Sequence, residues 1–258
     1  TSCFSLRVRR CIGYYLAGWF YRHQFPQYRH HKSFSPWYEA RCWIRAAARK
    51  QWYRFLQRKV LSQLQGELDQ RYHLVVLQVY NDSQIRNHSP YNDVRDYIND
   101  VMYSFSKKAC SDQWLVIKHH PMDRGHRLYG PLIRKLGKQY NISERVKYVH
   151  DLPMPELLTH ARAVVTINST AGLSALIHNK PLIVMGNALY DMKGLTFQGH
   201  LNQFWQSDFK PDMKLFKKFR LYILRNTQIN AVYYGDNQLE LIPTVKTEYK
   251  DEYYRIPV

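Results

Sequence analysis

The chain has 258 residues, of which 45% are apolar and 22% charged, and a formal net charge of +18. That composition supports a packed core and excludes a disordered chain. The positive excess points to an anionic partner: nucleic acid, an acidic membrane surface or a negatively charged substrate.

Four cysteines (Cys3, Cys11, Cys42 and Cys110) form no CxxC pair and no disulfide-framework spacing. A reducing compartment fits this usage, and structural zinc is not expected. The apolar stretch from Cys11 to Phe20 is shorter than the roughly 20 residues a membrane span needs. It also lacks a small-residue cleavage site, so a signal peptide is not expected.

Residues 1–70 carry thirteen Lys or Arg against Glu39, Glu67 and Asp69, interleaved with aromatics. From Pro36, which suits a first helical turn, the run "WYEARCWIRAAARKQWYRFLQRKVLSQLQGEL" predicts one long helix with no breaker before Gly66. Trp37, Ile44, Ala48 and Phe55 approximate one face, and Arg41, Arg45 and Arg49 step along another. The arginine face reads either as a solvated basic surface or as a contact for anionic lipid headgroups.

From residue 72 the rhythm changes. Apolar runs at 73–79, 114–117, 146–149, 163–167 and 181–185 predict strands, and helices are expected at about 91–109, 128–139, 154–161 and 170–178. Alternation of this kind means βαβ units, a parallel sheet and right-handed crossovers, so the fold class is α/β and Rossmann-like. A further amphipathic helix at about 211–226 and a polar, Tyr-rich tail complete the expectation of two regions, 1–70 and 71–258. No internal repeat is present.

Three turns follow three of the strands and would gather at one edge of the sheet, where ligands of open α/β folds sit. The first is Asn81-Asp82-Ser83, the second begins Lys118-His119-His120-Pro121, and the third is Asn168-Ser169-Thr170, leading into a helix that carries Gly172. A helix that opens with Ser and Thr offers hydroxyls, free N–H groups and a positive dipole end to a phosphate. His120 and Lys118 can complete such a cradle. Taken singly, each feature has a structural reading: a cap, a core histidine, an Asx turn. In this order on successive strand ends they point to a nucleotide-sugar site. Asn81, Asn141 and Asn168 also head Asn-x-Ser/Thr triplets. Two of the three lie in these turns, and the cysteine usage speaks against a secreted protein.

The segments "LQVYNDSQI", "HSP", "KHHPMDRG", "YVHDL", "TINSTAGLSALIHNKPLIVMG" and "GLTFQG" resemble the bacterial capsule polysaccharide biosynthesis and export family. Within it they are most similar to the β-Kdo transferases that start the Kdo linker on a phosphatidylglycerol-type lipid. The likeness is dense over residues 72–205 and weaker before residue 70. It implies a GT-B-like glycosyltransferase that uses CMP-Kdo and retains the β configuration, with 71–258 as the CMP-sugar-binding domain and 1–70 as part of an incomplete acceptor domain. Asp82 matches the carboxylate that follows the first strand of the donor domain and is the implied nucleophile. A more distant likeness to bacterial sialyltransferases implies that Lys118 contacts the base, Glu156 the ribose, and His120, Ser169 and Thr170 the phosphate.

The chemistry of the donor agrees with these assignments. CMP leaves as an anion that needs donors rather than a general acid, and retention by double displacement needs one carboxylate opposite the leaving group. Asn81, Gln84, Arg86 and Arg124 are candidates to face the Kdo carboxylate, and His88 is a candidate base for the acceptor hydroxyl as well as a candidate structural histidine. No Asp-x-Asp motif is present, so neither a metal nor a cofactor is expected. Expected partners are CMP-Kdo, an anionic glycerophospholipid, the membrane surface and other capsule assembly proteins, with no nucleic acid. The expected location is peripheral, on the inner face of the cytoplasmic membrane. The alternative is a non-catalytic module that binds capsule polysaccharide or its lipid linker.

Overall fold

The computed structural model describes residues 4–27 and 35–227. Cys3 and the Tyr-rich tail fall outside the described residues. Contacts divide the chain into two compact units, Trp37–Lys218 and the terminal segments up to Pro36 and from Phe219. The terminal unit contains helix α1 (Phe4–Phe20), which leads into a single 3-10 turn.

The Trp37–Lys218 unit is built on five parallel strands: β1 (Tyr72–Val76), β2 (Trp114–Lys118), β3 (Val146–Val149), β4 (Ala163–Thr166) and β5 (Leu182–Val184). Their order is β3-β2-β1-β4-β5. Every residue of β1 is buried because that strand is central and both its faces are covered, which is why its sequence runs apolar instead of alternating. The register sets Val76 beside Lys118 on one side and Thr166 on the other, so the turns after β1, β2 and β4 meet at the carboxyl edge.

Helices fill the crossovers. After β1 come α4 (Ser83–His88) and α5 (Val94–Lys108); α6 (Gly130–Gln139) precedes β3; α7 (Met154–His160) and α8 (Ala171–Ile177) flank β4. In α5, Asp93 caps the first turn by accepting from the Arg95 N–H at 2.8 Å, and Lys107 and Lys108 close the last. Val94, Tyr97, Ile98, Val101, Met102 and Phe105 recur at three- and four-residue spacing and face the core. Asn141 and Asn179, both at positive φ, close α6 and α8, as asparagine tolerates that region better than most residues. After β5, α9 (Leu201–Phe204) sets Trp205 fully inside the core, its indole N–H donating to Ser104 at 2.8 Å. Helix α10 (Met213–Asn226) follows.

The predicted long helix is two helices, α2 (Pro36–Leu56) and α3 (Arg58–Gln65). Gln57, between them, gives its side chain to the outer edge of β3: Nε2 donates to the Tyr148 carbonyl at 3.0 Å and Oε1 accepts from the His150 N–H at 3.0 Å. The other edge is closed similarly, with the Phe197 N–H donating to the Leu182 carbonyl at 2.8 Å.

Helix α2 exposes its apolar stripe as well as much of its arginine stripe. Trp37, Ile44 and Phe55 are 80%, 72% and 63% exposed, so the aromatic face looks outward. Two of the three stripe arginines dock on the turn after β2: Arg45 donates to the Gly125 carbonyl at 2.6 Å and Arg49 to the Arg124 carbonyl at 2.7 Å. Glu39 and Cys42 are buried. Carbonyl groups of an irregular turn need donors, and two guanidinium groups satisfy them, which neither sequence reading of that face anticipated.

The docking also relies on close approach at Gly125, where an added Cβ would stand 2.2 Å from the Cys42 carbonyl oxygen. The substitution Gly125→Ala is therefore expected to push α2 off this turn and destabilise the fold by about 1–3 kcal/mol. A urea midpoint unchanged from wild type would show that the turn yields instead.

Candidate active site

In the order β3-β2-β1-β4-β5, successive strands are added on one side of β1 and then on the other, and the cleft between the ends of β1 and β4 is the switch point where such sheets bind ligands. A network of side-chain amides crosses that cleft. Gln78, two residues past β1 and only 5% exposed, donates from Nε2 to Asp82 at 3.1 Å and to Asn168 Oδ1 at 2.9 Å, and accepts from the Asn168 N–H at 3.2 Å. Asn168 in turn donates to the carbonyls of Gln84 and His88, at 3.0 and 3.2 Å. The His88 carbonyl also accepts from the Asn187 N–H after β5. Helix α4 is thus pinned at both ends across the tips of β1, β4 and β5.

Asp82 stands at the start of α4. One carboxylate oxygen accepts from the Gln84 N–H at 3.0 Å and the other from Gln78, so the side chain is both the helix cap and a member of the network. From the turn after β2, on the other side of β1, His120 comes within the field of Asp82, which favours its protonated form, while burial opposes that form more strongly and leaves the pKa below the usual histidine value. His120 Nδ1 accepts from the Met122 N–H at 3.2 Å. The neutral ring therefore carries its proton on Nε2, which remains a donor.

Ser169 opens α8 by accepting from the Ala171 N–H at 3.2 Å, and its carbonyl takes a hydrogen bond from the Tyr190 hydroxyl. Thr170 is exposed. Gly172 lies so close under Tyr190 that a Cβ would fall 2.3 Å from the hydroxyl oxygen. Asp82, Asn81, Gln84, His120, Ser169 and Thr170 accordingly share the carboxyl edge, and His88 sits at the far end of α4.

Three residues of the sequence-based set lie deeper or elsewhere. Lys118 ends β2 at 5% exposure and donates to the His150 carbonyl at 2.8 Å; burial lowers its pKa to about 8, Asp151 opposing and Arg124 adding to the shift. Glu156, exposed on α7, accepts from Gln65 of α3 at 2.8 Å, so its carboxylate is engaged outside the amide network. Arg124 is ion-paired to Asp151, after β3. Among the described residues no group of three or more His, Cys, Asp or Glu is spaced to hold a metal ion.

Behind the cleft is a polar cluster the sequence reading missed. His119, 2% exposed, bonds through Nδ1 to the Tyr148 hydroxyl at 2.6 Å. His150 stacks on Tyr53 of α2, ring centroids 3.5 Å apart. Burial, helped by the cations Arg124 and Lys118, holds the two imidazoles at about 4 and about 3. Asp123, with no exposed surface, accepts from the Tyr80 N–H at 3.1 Å and the Tyr129 hydroxyl at 3.2 Å and ties the turn after β1 to the turn after β2. Burial raises its carboxyl to about 6. The consecutive histidines of "KHHP" and the lone polar Gln78 in an apolar run were the available signals.

These shifts fix the sign of an acid response. Each buried histidine binds its proton more weakly in the folded chain than at the ordinary 6.5, so stability falls as pH drops from 6.5 toward 4. Asp123 acts oppositely, since its folded value exceeds the ordinary 3.8 and its protonation favours the folded state between about 6 and 4. Two histidines outweigh one carboxyl. Urea midpoints measured from pH 7 to pH 4 are expected to fall, and to fall more steeply in Asp123→Asn; a flat profile or an unchanged slope would contradict the cluster's protonation states.

Comparison with known proteins gives a family. The sequence profile described as capsule polysaccharide biosynthesis protein matches residues 6–234. The chain is 76% identical over 228 residues to the capsule polysaccharide export protein KpsS of Escherichia coli, covering 88% of this chain and 59% of that protein. It is 37% identical over 233 residues to the capsule polysaccharide modification protein LipB of Neisseria meningitidis, covering 90% of this chain and 56% of that protein. The chain thus spans somewhat under three-fifths of the length of these relatives. A looser likeness is to the solved structure of Thermosulfurimonas dismutans KpsC, a beta Kdo 2,7 transferase, at 20% identity and TM-score 0.42 over 69% of this chain and 57% of that one. With nearly its whole length matched, the chain belongs to the capsule polysaccharide biosynthesis protein family.

Proposed function

We propose that this chain is the donor-binding part of a retaining glycosyltransferase that moves β-Kdo from CMP-Kdo to a phosphatidylglycerol-type lipid during capsule biosynthesis. The observation that carries the reading is the Asp82 carboxylate at the switch point, within the electrostatic reach of His120 and joined through Gln78 to the residue before Ser169. In a double displacement the carboxylate attacks the anomeric carbon as CMP departs with the bonding electrons. The acceptor hydroxyl, losing its proton to a base for which His88 is the candidate, then displaces Asp82, and two inversions leave the β configuration intact.

The other residues take roles that suit their settings. His120 Nε2–H, the Ser169 and Thr170 hydroxyls and the backbone N–H groups beside them are donors for the departing phosphate. Asn81 and Gln84 flank Asp82 and can meet the carboxylate of Kdo. Lys118 contributes positive charge from below. Glu156 would need to turn from Gln65 to reach a ribose. Among the described residues no helix is long and apolar enough to cross a membrane. The net charge of +18 and an anionic lipid acceptor favour a peripheral place on the cytoplasmic face, with other capsule assembly proteins as neighbours.

One observation favours a second reading. Both oxygens of Asp82 already accept hydrogen bonds, which is the behaviour of a structural cap and would suit a non-catalytic module that binds capsule polysaccharide or its lipid linker. Asp82→Asn separates the two, because asparagine caps helices about as well as aspartate but is a far poorer nucleophile. After incubation with CMP-Kdo, intact-protein mass spectrometry is expected to find a Kdo-sized adduct on the wild type and none on the variant, which keeps the helix cap and stays folded but loses about 1–3 kcal/mol because its Nδ2 faces the donor Gln78 Nε2. Neither adduct nor CMP release from the wild type would leave the module reading in place.

A further inference from the structure

Helix α2 turns a continuous apolar strip to solvent. Trp37, Ile44, Ala48 and Phe55 stand seven, four and seven residues apart, which at 3.6 residues per turn keeps them on one face over about five turns, and Trp52 borders them. All five are exposed, Trp52 to 61%. Single exposed apolar side chains are ordinary, but a row of them along one helix is a patch, and patches mark contact surfaces. The opposite side of the helix is used by the fold: Cys42 is buried, Arg49 donates to the Arg124 carbonyl, and Tyr53 stacks on His150. The strip is therefore held facing away from the sheet.

The charged residues around the strip are of one sign. Arg41, Lys50, Arg54, Arg58 and Lys59 are exposed, with the Arg58 guanidinium over the Phe55 ring at 5.4 Å. Glu39, the one acid between Pro36 and Gln65, is buried against His126. Large aromatic and aliphatic side chains edged only by arginine and lysine suit a helix lying in the interface of an anionic bilayer, with the rings at the acyl boundary and the cations snorkelling to the headgroups. A second copy of the strip would set cations against cations, and a nucleic acid would answer the charges but leave Ile44 and Phe55 in water.

We propose that the outward strip of α2 seats the protein on a bilayer rich in anionic glycerophospholipid, with the helix in the plane of the interface. This seating rests on the lipid-acceptor reading for its class of lipid. The contact is made by the apolar stripe and the cations beside it, since two of the three stripe arginines are engaged within the fold.

The test is co-sedimentation of the 258-residue chain with vesicles of phosphatidylglycerol and phosphatidylcholine in equal parts, and with vesicles of phosphatidylcholine alone, at about 0.1 M salt. Partitioning is expected to be at least roughly tenfold stronger where phosphatidylglycerol is present. The triple variant Trp37→Ala, Ile44→Ala, Phe55→Ala and the triple variant Arg41→Gln, Lys50→Gln, Arg54→Gln are each expected to weaken it by about tenfold or more. All six positions are exposed and both replacements are good helix formers, so the fold is kept, as an unchanged urea midpoint would verify. Lys108→Gln, Lys135→Gln, Lys138→Gln removes the same charge from exposed positions of α5 and α6 and should cost no more than roughly threefold. Acyl chains carrying bromine should quench the tryptophan emission, and Trp37→Phe, Trp52→Phe should retain binding and lose most of that quenching. The proposal is overturned if either α2 triple variant partitions like the wild type, if the α5 and α6 variant loses as much as the α2 variants, or if quenching survives Trp37→Phe, Trp52→Phe. It is also overturned if the chain ignores vesicles and instead binds a single-stranded oligonucleotide, or forms a dimer that the alanine variant dissolves. Wild type and α2 variants are expected to form the Kdo adduct alike from dissolved CMP-Kdo. Lost seating with an intact adduct would thus count against the strip alone, and a missing adduct with intact seating against the transferase reading alone.

Discussion

The buried amide of Gln78 is the join on which the carboxyl edge depends. Parallel strands bring their ends together but leave a gap wherever the winding reverses, and in this chain one side chain fills it with three hydrogen bonds. Because a carboxamide donates and accepts at once, it can satisfy Asp82 and both polar groups of Asn168, whereas a carboxylate or an ammonium could serve only one kind. Removing either partner would strand the other in a poorly solvated place, which typically costs about 1–3 kcal/mol. The position of Asp82 is therefore fixed from two directions, by a helix start and by the neighbouring strand.

Behind this edge the chain handles a concentration of positive charge by keeping imidazoles neutral. Lys118, Arg49 and Arg124 all converge on the turns after β2 and β3, and each is met by a backbone carbonyl or by Asp151. Placing two further cations there would be repulsive, and burial ensures that His119 and His150 do not become such at neutral pH. The result is a positive wall behind the cleft in which His119 Nε2, His150 Nε2, Arg124 Nε and Asp151 Oδ2 are buried without a hydrogen-bond partner, while the Asp82 carboxylate in the cleft is held by donors. Such a wall favours anions at the carboxyl edge.

The sheet was legible in the sequence because its cause is local. Short β-branched runs bounded by polar turns gave all five strands to within a few residues, and their alternation with helices gave the parallel arrangement. What escaped has its cause elsewhere in the chain. Helix α4 has only six residues and its cap, Asp82, is also a good turn former, so "NDS" read as a turn. The break at Gln57 arises from the edge of β3, ninety residues away, and no pattern in "RFLQRKV" announces it. The arginine stripe of α2 read as a solvated or lipid-contacting surface, whereas the carbonyls of the Arg124–Gly125 turn draw two of its arginines into the fold. Asp82, His120 and Ser169 could be picked out because each lies in the turn after an apolar strand run; the pairing of His119 with Tyr148 could not, since it depends on the register between β2 and β3.

The same Gln57 has a bearing on the behaviour of the protein in a crowded solution. Its carboxamide spans Tyr148 and His150 with the spacing that a peptide group of an added strand would use, and the backbone of Phe197 does the corresponding service for Leu182. A five-stranded parallel sheet has two rims that another chain could extend, and edge-to-edge growth is the ordinary route from such rims to fibrils. In this fold each rim has a group that occupies part of the growth position, one of them supplied by a side chain at a helix junction. A chain rich in exposed aromatics can in this way remain a self-limiting particle.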